Sequence, residues 1–208
     1  MDGREPSSHY FEPGYDTKER FVSYWHQASE LLAANPEKIL EIGVGNGFLS
    51  SYLRRRGADV TTLDIDPALS PDVTGSVLGM PFPDAAFDAV GCFEVLEHLP
   101  YEDFPKAMSE LRRVTKGVAV ISVPDHSPAY RFNVELPLFG EIKCLFPHPF
   151  PRPVPHVFDG THYWVLGKSQ YPLARVSADM EKAGFRIART FRPFEFYGHR
   201  FFVLKKGR

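Results

Sequence analysis

The stretch "EKILEIGVGNGFLS" at residues 37–50 places three glycines directly after a run of apolar residues. The apolar run predicts a buried strand over residues 38–42, and the residues from position 47 onwards predict a helix. A glycine-rich loop between a strand and a helix lets a ligand approach bare backbone, because glycine has no side chain. The sequence therefore predicts a ligand-binding loop whose members are Gly43, Val44, Gly45, Asn46 and Gly47.

The spacing of these glycines argues against two common phosphate-binding loops. A Walker loop needs a Gly-Lys-Ser/Thr sequence to hold phosphate and magnesium, and none follows here. The dinucleotide fingerprint G-x-G-x-x-G would need its third glycine at position 48, which is Phe48. Glu41 lies just before the loop, where its carboxylate would repel a pyrophosphate and attract a cation. We therefore expect a ligand that carries an amine or a sulfonium but no phosphate.

A second acidic residue follows the next predicted strand. The stretch "VTTLDIDP" at residues 60–67 puts Asp64 at the carboxyl end of that strand. An acid about 20 residues past the first glycine of such a loop can accept hydrogen bonds from both hydroxyls of a ribose. Asp66 is explained more simply, as a turn carboxylate before Pro67. The loop and Asp64 together predict an adenosine-containing cofactor.

The rest of the chain alternates between apolar strand patterns and helical patterns, which predicts a mostly parallel α/β sheet covered on both faces. The last two strands look like a hairpin that closes one edge, and the expected fold is a doubly wound sheet of seven strands. The predicted helices are 17–34, 47–56, 104–114 and 172–183, and the predicted strands are 38–42, 59–63, 72–74, 87–93, 117–123, 185–194 and 200–206.

Length and composition limit the possible functions. A chain of 208 residues is long enough for one domain with a substantial core. The formal net charge of -2 argues against bulk attraction to nucleic acid or to an anionic membrane surface. With only two cysteines, no disulfide framework is implied. We find neither a signal peptide nor a membrane span in the sequence, so we expect a cytoplasmic protein.

Five blocks in the same order resemble one known family. The blocks "ILEIGVGNG", "TTLDIDP", "MPFPDAAFDAV", "FEVLEHL" and "LRRVTKGVAVISVP" are similar to class I S-adenosylmethionine-dependent methyltransferases, in particular to the methyltransferase type 11 group. The resemblance covers about residues 36–124 and implies a Rossmann-like fold that binds S-adenosyl-L-methionine.

The resemblance also implies a role for each residue that matches the blocks. Glu41 and the backbone of residues 43–47 would hold the methionine part, Asp64 the ribose, and Ile65 would pack on the adenine. In many members an acid lies a few residues before the "PFPD" block, and Ser76, followed by Val77, takes that place here. The cofactor-binding residues implied by the resemblance are Glu41, Gly43, Val44, Gly45, Asn46, Gly47, Asp64, Ile65, Ser76, Val77 and Phe93.

Methyl transfer from a sulfonium needs alignment and a dry site, and it needs a base only if the acceptor must lose a proton first. The candidates for that catalytic role are His98, His126 and His162. His98 and His126 are preferred, because each follows a predicted strand at its carboxyl end. The expected acceptor is a small molecule or a precursor of a glycan or lipid. The sequence leaves open whether oxygen, nitrogen or carbon is methylated, and which oligomer forms.

Two alternatives remain beside a metal-free enzyme. The block Glu94-Val-Leu-Glu97-His98 resembles the metal-binding block of small-RNA 2′-O-methyltransferases and of ubiquinone-pathway O-methyltransferases. Such a block could hold a divalent cation that lowers the pKa of an acceptor hydroxyl. The other alternative is a protein that binds the cofactor without transferring the methyl group. A nicotinamide dehydrogenase is disfavoured by the glycine spacing.

The segment after the fifth sheet strand is rich in proline and aromatic residues. We divide the domain into an N-terminal arm and helix (1–35), the cofactor-binding core (36–123), a predicted acceptor cover (124–162) and a C-terminal helix and hairpin (163–208). The alternative roles for the cover are a dimerisation arm or packing against Tyr24 and Trp25. Its apolar residues are Tyr130, Phe132, Leu136, Leu138, Phe139, Leu145, Phe146, Phe150 and Phe158.

Overall fold

The structure is a computed structural model, and it describes residues 7–138 and 140–207. The first six residues of the predicted arm and Phe139 of the predicted cover lie outside the described residues. The helices are α1 (Lys18–Leu32), α2 (Phe48–Arg55), α3 (Phe104–Val114) and α4 (Leu173–Lys182). The strands are β1 (Lys38–Ile42), β2 (Asp59–Asp64), β3 (Val73–Thr74), β4 (Phe87–Phe93), β5 (Thr115–Pro124), β6 (Ala129–Leu136), β7 (Gly140–Pro147), β8 (Phe185–Phe191) and β9 (His199–Lys206).

Seven strands form one sheet in the order β3-β2-β1-β4-β5-β9-β8. The pairs from β3 to β5 are parallel, whereas β9 runs antiparallel to both β5 and β8. The predicted fold and the closing hairpin at one edge are therefore confirmed. The strand order reverses between β1 and β4, and ligands bind in sheets of this kind at the carboxyl ends of the strands beside such a switch point.

Successive residues of the central strands point to opposite faces, and both faces are buried by helices. One group of buried residues joins Ile39 of β1 to Leu31 of α1 and Leu53 of α2. The other group joins Leu40 of β1 to Met108 of α3, with α4 packed on the same side. This arrangement explains why β4 and β5 read as nearly continuous apolar runs, which is typical of parallel strands covered on both faces.

The start of α1 differs slightly from its prediction. The Asp-x-x-Glu pattern at residues 16–19 predicts a start at Thr17, but Thr17 is the capping residue and its Oγ1 accepts the backbone N–H of Arg20 at 3.3 Å. A threonine cap satisfies one of the backbone donors that the first helical turn leaves unpaired. Asp16 is thereby left to bond elsewhere, and it does so beside the glycine loop.

The proline-rich segment contains regular structure that the proline content did not predict. Strands β6 and β7 form a separate antiparallel hairpin, with prolines outside its paired interior. The hairpin rests on the connection between β8 and β9. Lys143 Nζ lies 2.7 Å from Glu195 Oε1, and the Arg131 guanidinium lies 4.5 Å from the centre of the Tyr197 ring.

Among the described residues, no helix is both long enough and apolar enough to cross a membrane.

Candidate functional site

A cavity of about 500 Å³ lies at the carboxyl ends of β1, β2 and β4. Pockets for small ligands usually enclose ~300–1,000 Å³, so this cavity has the size of a small-molecule site. Its lining includes ten of the eleven residues that the sequence assigned to a cofactor, and only Gly47 lies outside it. The predicted cofactor residues that line it are Glu41, Gly43, Val44, Gly45, Asn46, Asp64, Ile65, Ser76, Val77 and Phe93.

The glycine loop has a backbone that other residues rarely adopt. Gly43, Gly45 and Gly47 all have positive φ angles, of 83°, 54° and 73°. A Cβ atom on Gly43 would also overlap Cγ2 of Val95. Val95 lies just after β4, the strand next to β1. Gly47 is the capping residue of α2, which places it at the far end of the loop from the cavity. The first glycine therefore has both conformational and steric reasons to lack a side chain.

Asp64 holds the glycine loop in place. Its Oδ2 accepts the backbone N–H of Val44 at 2.8 Å, and its Oδ1 accepts the backbone N–H of Asp66 at 2.9 Å. Each carboxylate oxygen can accept a further hydrogen bond, because an ionised carboxylate offers about four lone-pair sites. Asp64 can therefore bind hydroxyl groups of a ligand while it fixes the loop beside them.

Glu41 is a buried carboxyl without a complete set of hydrogen bonds. Its side chain is 3% exposed, and its Oε2 has no partner among the described residues. Burial raises its pKa to about 8, although a hydrogen bond from Ser50 acts in the opposite direction. An ammonium group bound nearby would give Oε2 a donor and would favour the ionised carboxylate.

The opposite end of the cavity is more apolar. Ile65 is 47% exposed and can cover a flat ring from one side, and the buried Val77 lines the same cavity. The hydroxyl of Ser76 accepts the backbone N–H of Leu78 at 3.2 Å. Its own proton remains available to donate, so Ser76 can act as a donor as well as an acceptor toward a base.

The N-terminal part of the chain supplies lining residues that the sequence did not indicate. Tyr10, Tyr15 and Arg20 all line the cavity. The Arg20 guanidinium lies 4.0 Å from the centre of the Tyr15 ring, and its Nε donates to the Tyr15 carbonyl. Its two terminal nitrogens have no hydrogen-bond partner within residues 7–138 and 140–207. In the sequence, the only indication of this was the spacing of Arg20 and Tyr24. They are one helical turn apart and therefore lie on the same face of α1.

A small polar network ties this N-terminal part to the glycine loop. The Tyr24 hydroxyl lies 3.2 Å from Asp16 Oδ1 and 3.3 Å from Asn46 Oδ1. Asn46 in turn donates from Nδ2 to Asp16 at 3.0 Å. Asn46 thus contacts the cavity and also anchors the start of α1 over it, which gives this loop residue a structural role.

Glu94 lies directly after β4 and lines the cavity. It has a φ angle of +54°, which costs energy for a residue other than glycine. Its Oε1 accepts a short hydrogen bond from Ser122 of β5, and its Oε2 lies 2.7 Å from Nε2 of His199 on β9. Burial opposes the charged form, but His199 and Ser122 outweigh it and hold the pKa of Glu94 below its usual range.

Glu97, His98 and His162 form a second polar group beside the cavity. One potential ligand atom of each lies within 4.8 Å of the others. Glu97 is fully buried, and neither carboxyl oxygen has a hydrogen-bond partner among the described residues. Burial, and then the charge of Glu94, raise the pKa of Glu97. His98 is the member of this group that lines the cavity, and its Nδ1 lies 3.1 Å from the Thr161 carbonyl.

The structure does not bring His126 into the cavity. Its side chain is exposed, and its backbone N–H donates to the Leu166 carbonyl at 2.9 Å, so the chain after β5 turns away from the site. No described residue of 124–162 lines the cavity, although Tyr163 does. The acceptor cover therefore stays a prediction, and the N-terminal part of the chain contributes Tyr10, Tyr15 and Arg20 to the observed lining.

The comparison with known proteins supports the same class. Residues 40–122 match the family model described as a methyltransferase domain. The chain is 38% identical over 96 residues to malonyl-[acyl-carrier protein] O-methyltransferase of Serratia marcescens, covering 41% of this chain and 36% of that protein. It is 28% identical to demethylmenaquinone methyltransferase of Deinococcus radiodurans, covering 67% of this chain and 65% of that protein. The matches thus span less than two thirds of these relatives' own lengths.

A solved structure shares the fold over nearly the whole chain. It is the 1,6-didemethyltoxoflavin-N1-methyltransferase of Burkholderia thailandensis with bound 1,6-didemethyltoxoflavin and S-adenosylhomocysteine. The TM-score is 0.65 at 16% identity, with 97% of this chain and 85% of that chain covered. Residues 40–122 are thus similar to a methyltransferase domain, and the chain as a whole shares the fold of this S-adenosylhomocysteine-bound methyltransferase.

Proposed function

We propose that this protein transfers the methyl group of S-adenosylmethionine to a small-molecule acceptor, or to a precursor of a glycan or lipid. One observation carries the proposal. A single cavity joins the glycine loop and Asp64 to the polar side chains of Glu94 and His98. A site for the cofactor and a polar site for an acceptor therefore share one enclosed space. A relative named for demethylmenaquinone, a small-molecule acceptor, supports this range.

The residues of the cavity fit the parts of the cofactor. Glu41 has an unpartnered buried oxygen that suits the methionine ammonium. The Arg20 guanidinium suits the methionine carboxylate, because arginine pairs well with planar anions. Asp64 accepts the ribose hydroxyls, and Ile65 and Val77 cover the adenine. These assignments use every charged side chain that lines the cavity at the cofactor end except Asp66, which caps the turn at residues 67–69.

When bound, the cofactor supplies an electrophilic methyl group on a positively charged sulfur. The chain has to hold the acceptor in line with that methyl group and keep water away from it. Phe93 and Tyr163 line the cavity and contribute apolar surface for this purpose. His98 contacts the same space and can accept a proton or hold the acceptor by a hydrogen bond. His126 has no part in this proposal.

Turnover in a small-molecule extract tests the proposed function. We expect the protein to release S-adenosylhomocysteine when it is given S-adenosylmethionine and a protein-free cell extract, and to release none without the extract. The measurement is mass spectrometry of S-adenosylhomocysteine and of extract components whose mass rises by one methylene. If the cofactor binds but no extract or acceptor library supports turnover, the alternative of a cofactor-binding protein without catalysis replaces this proposal.

The group of Glu97, His98 and His162 supports a second candidate function, in which a divalent cation assists the transfer. A carboxylate and two imidazoles are suitable ligands for Mn²⁺ or Zn²⁺, and a cation would give the buried Glu97 oxygens a partner. Glu94 is not part of this group, because its carboxylate is engaged by Ser122 and His199. Glu94 nevertheless lies close enough to raise the pKa of Glu97, so the whole Glu-x-x-Glu-His block stays together at this end of the cavity.

Removal of metal ions distinguishes methyl transfer without a metal from methyl transfer assisted by a divalent cation. If a cation assists, excess chelator should lower turnover at least about tenfold, and added Mn²⁺ or Mg²⁺ should restore it. His162→Ala should then weaken Mn²⁺ binding, as measured by titration calorimetry, whereas His148→Ala on the hairpin should not. Full turnover in excess chelator, together with equal Mn²⁺ binding by both variants, would exclude the metal-assisted candidate.

A further inference from the structure

Glu94 is held by three adjacent strands of the sheet. It directly follows the last residue of β4, and its backbone N–H donates to the Ser122 carbonyl of β5 at 3.1 Å. Its carboxylate is bonded by the Ser122 hydroxyl and lies 2.7 Å from His199, the first residue of β9. A carboxylate at the end of a surface side chain would sample many positions. The Glu94 carboxylate is instead held by Ser122 at one oxygen and by His199 at the other.

The residues that hold Glu94 are themselves fixed. Ser122 is fully buried within β5. The His199 ring stacks on Phe196 with the ring centres 4.0 Å apart and the planes nearly parallel. His199 is therefore oriented so that Nε2 meets Glu94. Side chains locked by packing and hydrogen bonds are what an active site needs to hold a reacting group within a fraction of an ångström.

The carboxylate of Glu94 can still accept hydrogen bonds from a ligand. Each of its oxygens accepts one bond, and each offers about two lone-pair sites. The side chain lines the cavity and is 22% exposed. The positive φ angle of Glu94 is a strained conformation of the kind that is kept at functional sites. The fold therefore keeps a charged acceptor at the cavity wall at some cost in stability.

The location of Glu94 points to the methyl acceptor rather than to the cofactor. The groups assigned to the cofactor lie on β1, on β2 and at the start of α1, and they already match its ammonium, carboxylate and ribose. Glu94 lies at the end of β4, across β1 from β2, and lines the same cavity as His98, while the charge of Arg20 also acts on it. The cofactor has no further strong donor that would need a second carboxylate there.

We propose that Glu94 binds the methyl acceptor through a hydrogen bond from an O–H or N–H group, and that Ser122 and His199 are positioning residues for its carboxylate. The proposal rests on the proposed function and narrows its substrate class. The acceptor carries a hydroxyl or an amine at or next to the atom that is methylated. A carboxylate acceptor is disfavoured, because two like charges would be brought together in a partly buried site.

Matched pairs of probe molecules test this inference without knowledge of the natural acceptor. Phenol and anisole differ by one methyl group, and aniline and N,N-dimethylaniline differ by two. In each pair the methylation removes the hydrogen-bond donor. We expect protein saturated with S-adenosylhomocysteine to bind each donor-bearing probe about tenfold more tightly than its methylated partner, as measured by ligand-observed NMR titration. A hydrogen bond to a charged group commonly gives a preference of this size.

Variants of Glu94 and His199 test whether the preference for donor-bearing probes depends on the Glu94 carboxylate and on the residue that positions it. Glu94→Gln and His199→Phe should abolish the preference, because the first removes the charge and the second keeps the stacked ring but loses the donor. His199→Gln should restore much of it, since the amide can donate from a similar position. Glu181→Gln, on the exposed surface of α4, should behave like wild type. The affinity for S-adenosylhomocysteine should stay within about twofold in every variant.

Four other binding results would each contradict a specific part of the proposal. If wild type binds S-adenosylhomocysteine but shows no preference for the donor-bearing probes, Glu94 does not select the acceptor. If Glu94→Gln lowers the affinity for S-adenosylhomocysteine, Glu94 belongs to the cofactor site instead. If His199→Phe keeps the preference while His199→Gln loses it, His199 acts by packing and is not a positioning residue. If wild type does not bind S-adenosylhomocysteine at all, the proposed function itself fails.

Discussion

Replacing Asp64 with alanine is expected to weaken the binding of S-adenosylhomocysteine by about 2–4 kcal/mol, as measured by titration calorimetry. Two losses combine in this figure. The two ribose hydroxyls lose their acceptor, and the net contribution of a typical hydrogen bond is about 0.5–1.5 kcal/mol. The backbone N–H groups of Val44 and Asp66 also lose the bonds that fix the loop.

Asp59 provides the matched control for this variant. It is exposed and begins β2, the strand that Asp64 ends, so Asp59→Ala removes the same side chain from the opposite end of the same strand. We expect Asp59→Ala to bind S-adenosylhomocysteine like wild type. Equal binding by wild type and Asp64→Ala would contradict the assignment of the ribose to this end of the cavity.

Replacing Glu41 with glutamine is expected to stabilise the protein at alkaline pH when no cofactor is present. The pKa of Glu41 is raised from 4.5 to about 8 by burial. Between these values the unfolded chain has lost the proton and the folded chain has kept it, so the unfolded state binds fewer protons and stability falls as pH rises. Glutamine does not titrate and has no such loss.

The expected difference follows from the size of the shift. The free energy of unfolding of Glu41→Gln should equal that of wild type near pH 4.5 and exceed it by at most about 3–5 kcal/mol at pH 9. Denaturation by urea at pH 5, 7 and 9 measures the difference, with Glu181→Gln as the exposed control. A difference that does not grow with pH would show that Glu41 is not held in its protonated form by burial.

The same variant should bind the cofactor less well. An ammonium beside Glu41 favours the ionised carboxylate, so binding of S-adenosylhomocysteine at pH 7 should release a proton from wild type. Calorimetry in buffers with different ionisation enthalpies detects that proton. Glu41→Gln should show weaker binding and no proton release from this site. Unchanged affinity in this variant would mean that the ammonium lies elsewhere.

The sequence indicated the parts of the site that depend on local pattern. The glycine spacing and the acid at the end of β2 need only neighbouring residues to be recognised, and their positions at the cavity follow from the parallel sheet. Arg20 and His199 could not be found in this way. Arg20 reaches the cavity because α1 packs over the sheet, and His199 reaches Glu94 at the cavity wall because β9 pairs with β5. Both are tertiary events.

The region after β5 shows why a sequence pattern can mislead. His126 follows a strand at its carboxyl end, as ligand-binding residues often do. The backbone of that region is bonded to Leu166, and the neighbouring Asp125 pairs with Arg200, so the chain is drawn away from the cavity. In the hairpin, proline content obscured a regular alternation of apolar and polar side chains over residues 130–136. Alternation is the more direct signal for a strand.

The bonds from Asp64 to the glycine loop have a consequence for how a ligand binds. They are made by the chain itself, so the loop loses its conformational entropy when the protein folds and not when a ligand arrives. A ligand therefore meets a backbone that is already arranged, and more of the contact energy is left for affinity. The Asp64 carboxylate fixes the loop and, in the proposed complex, also binds the ribose. The rigidity of the loop and the affinity for the ligand therefore depend on the same side chain.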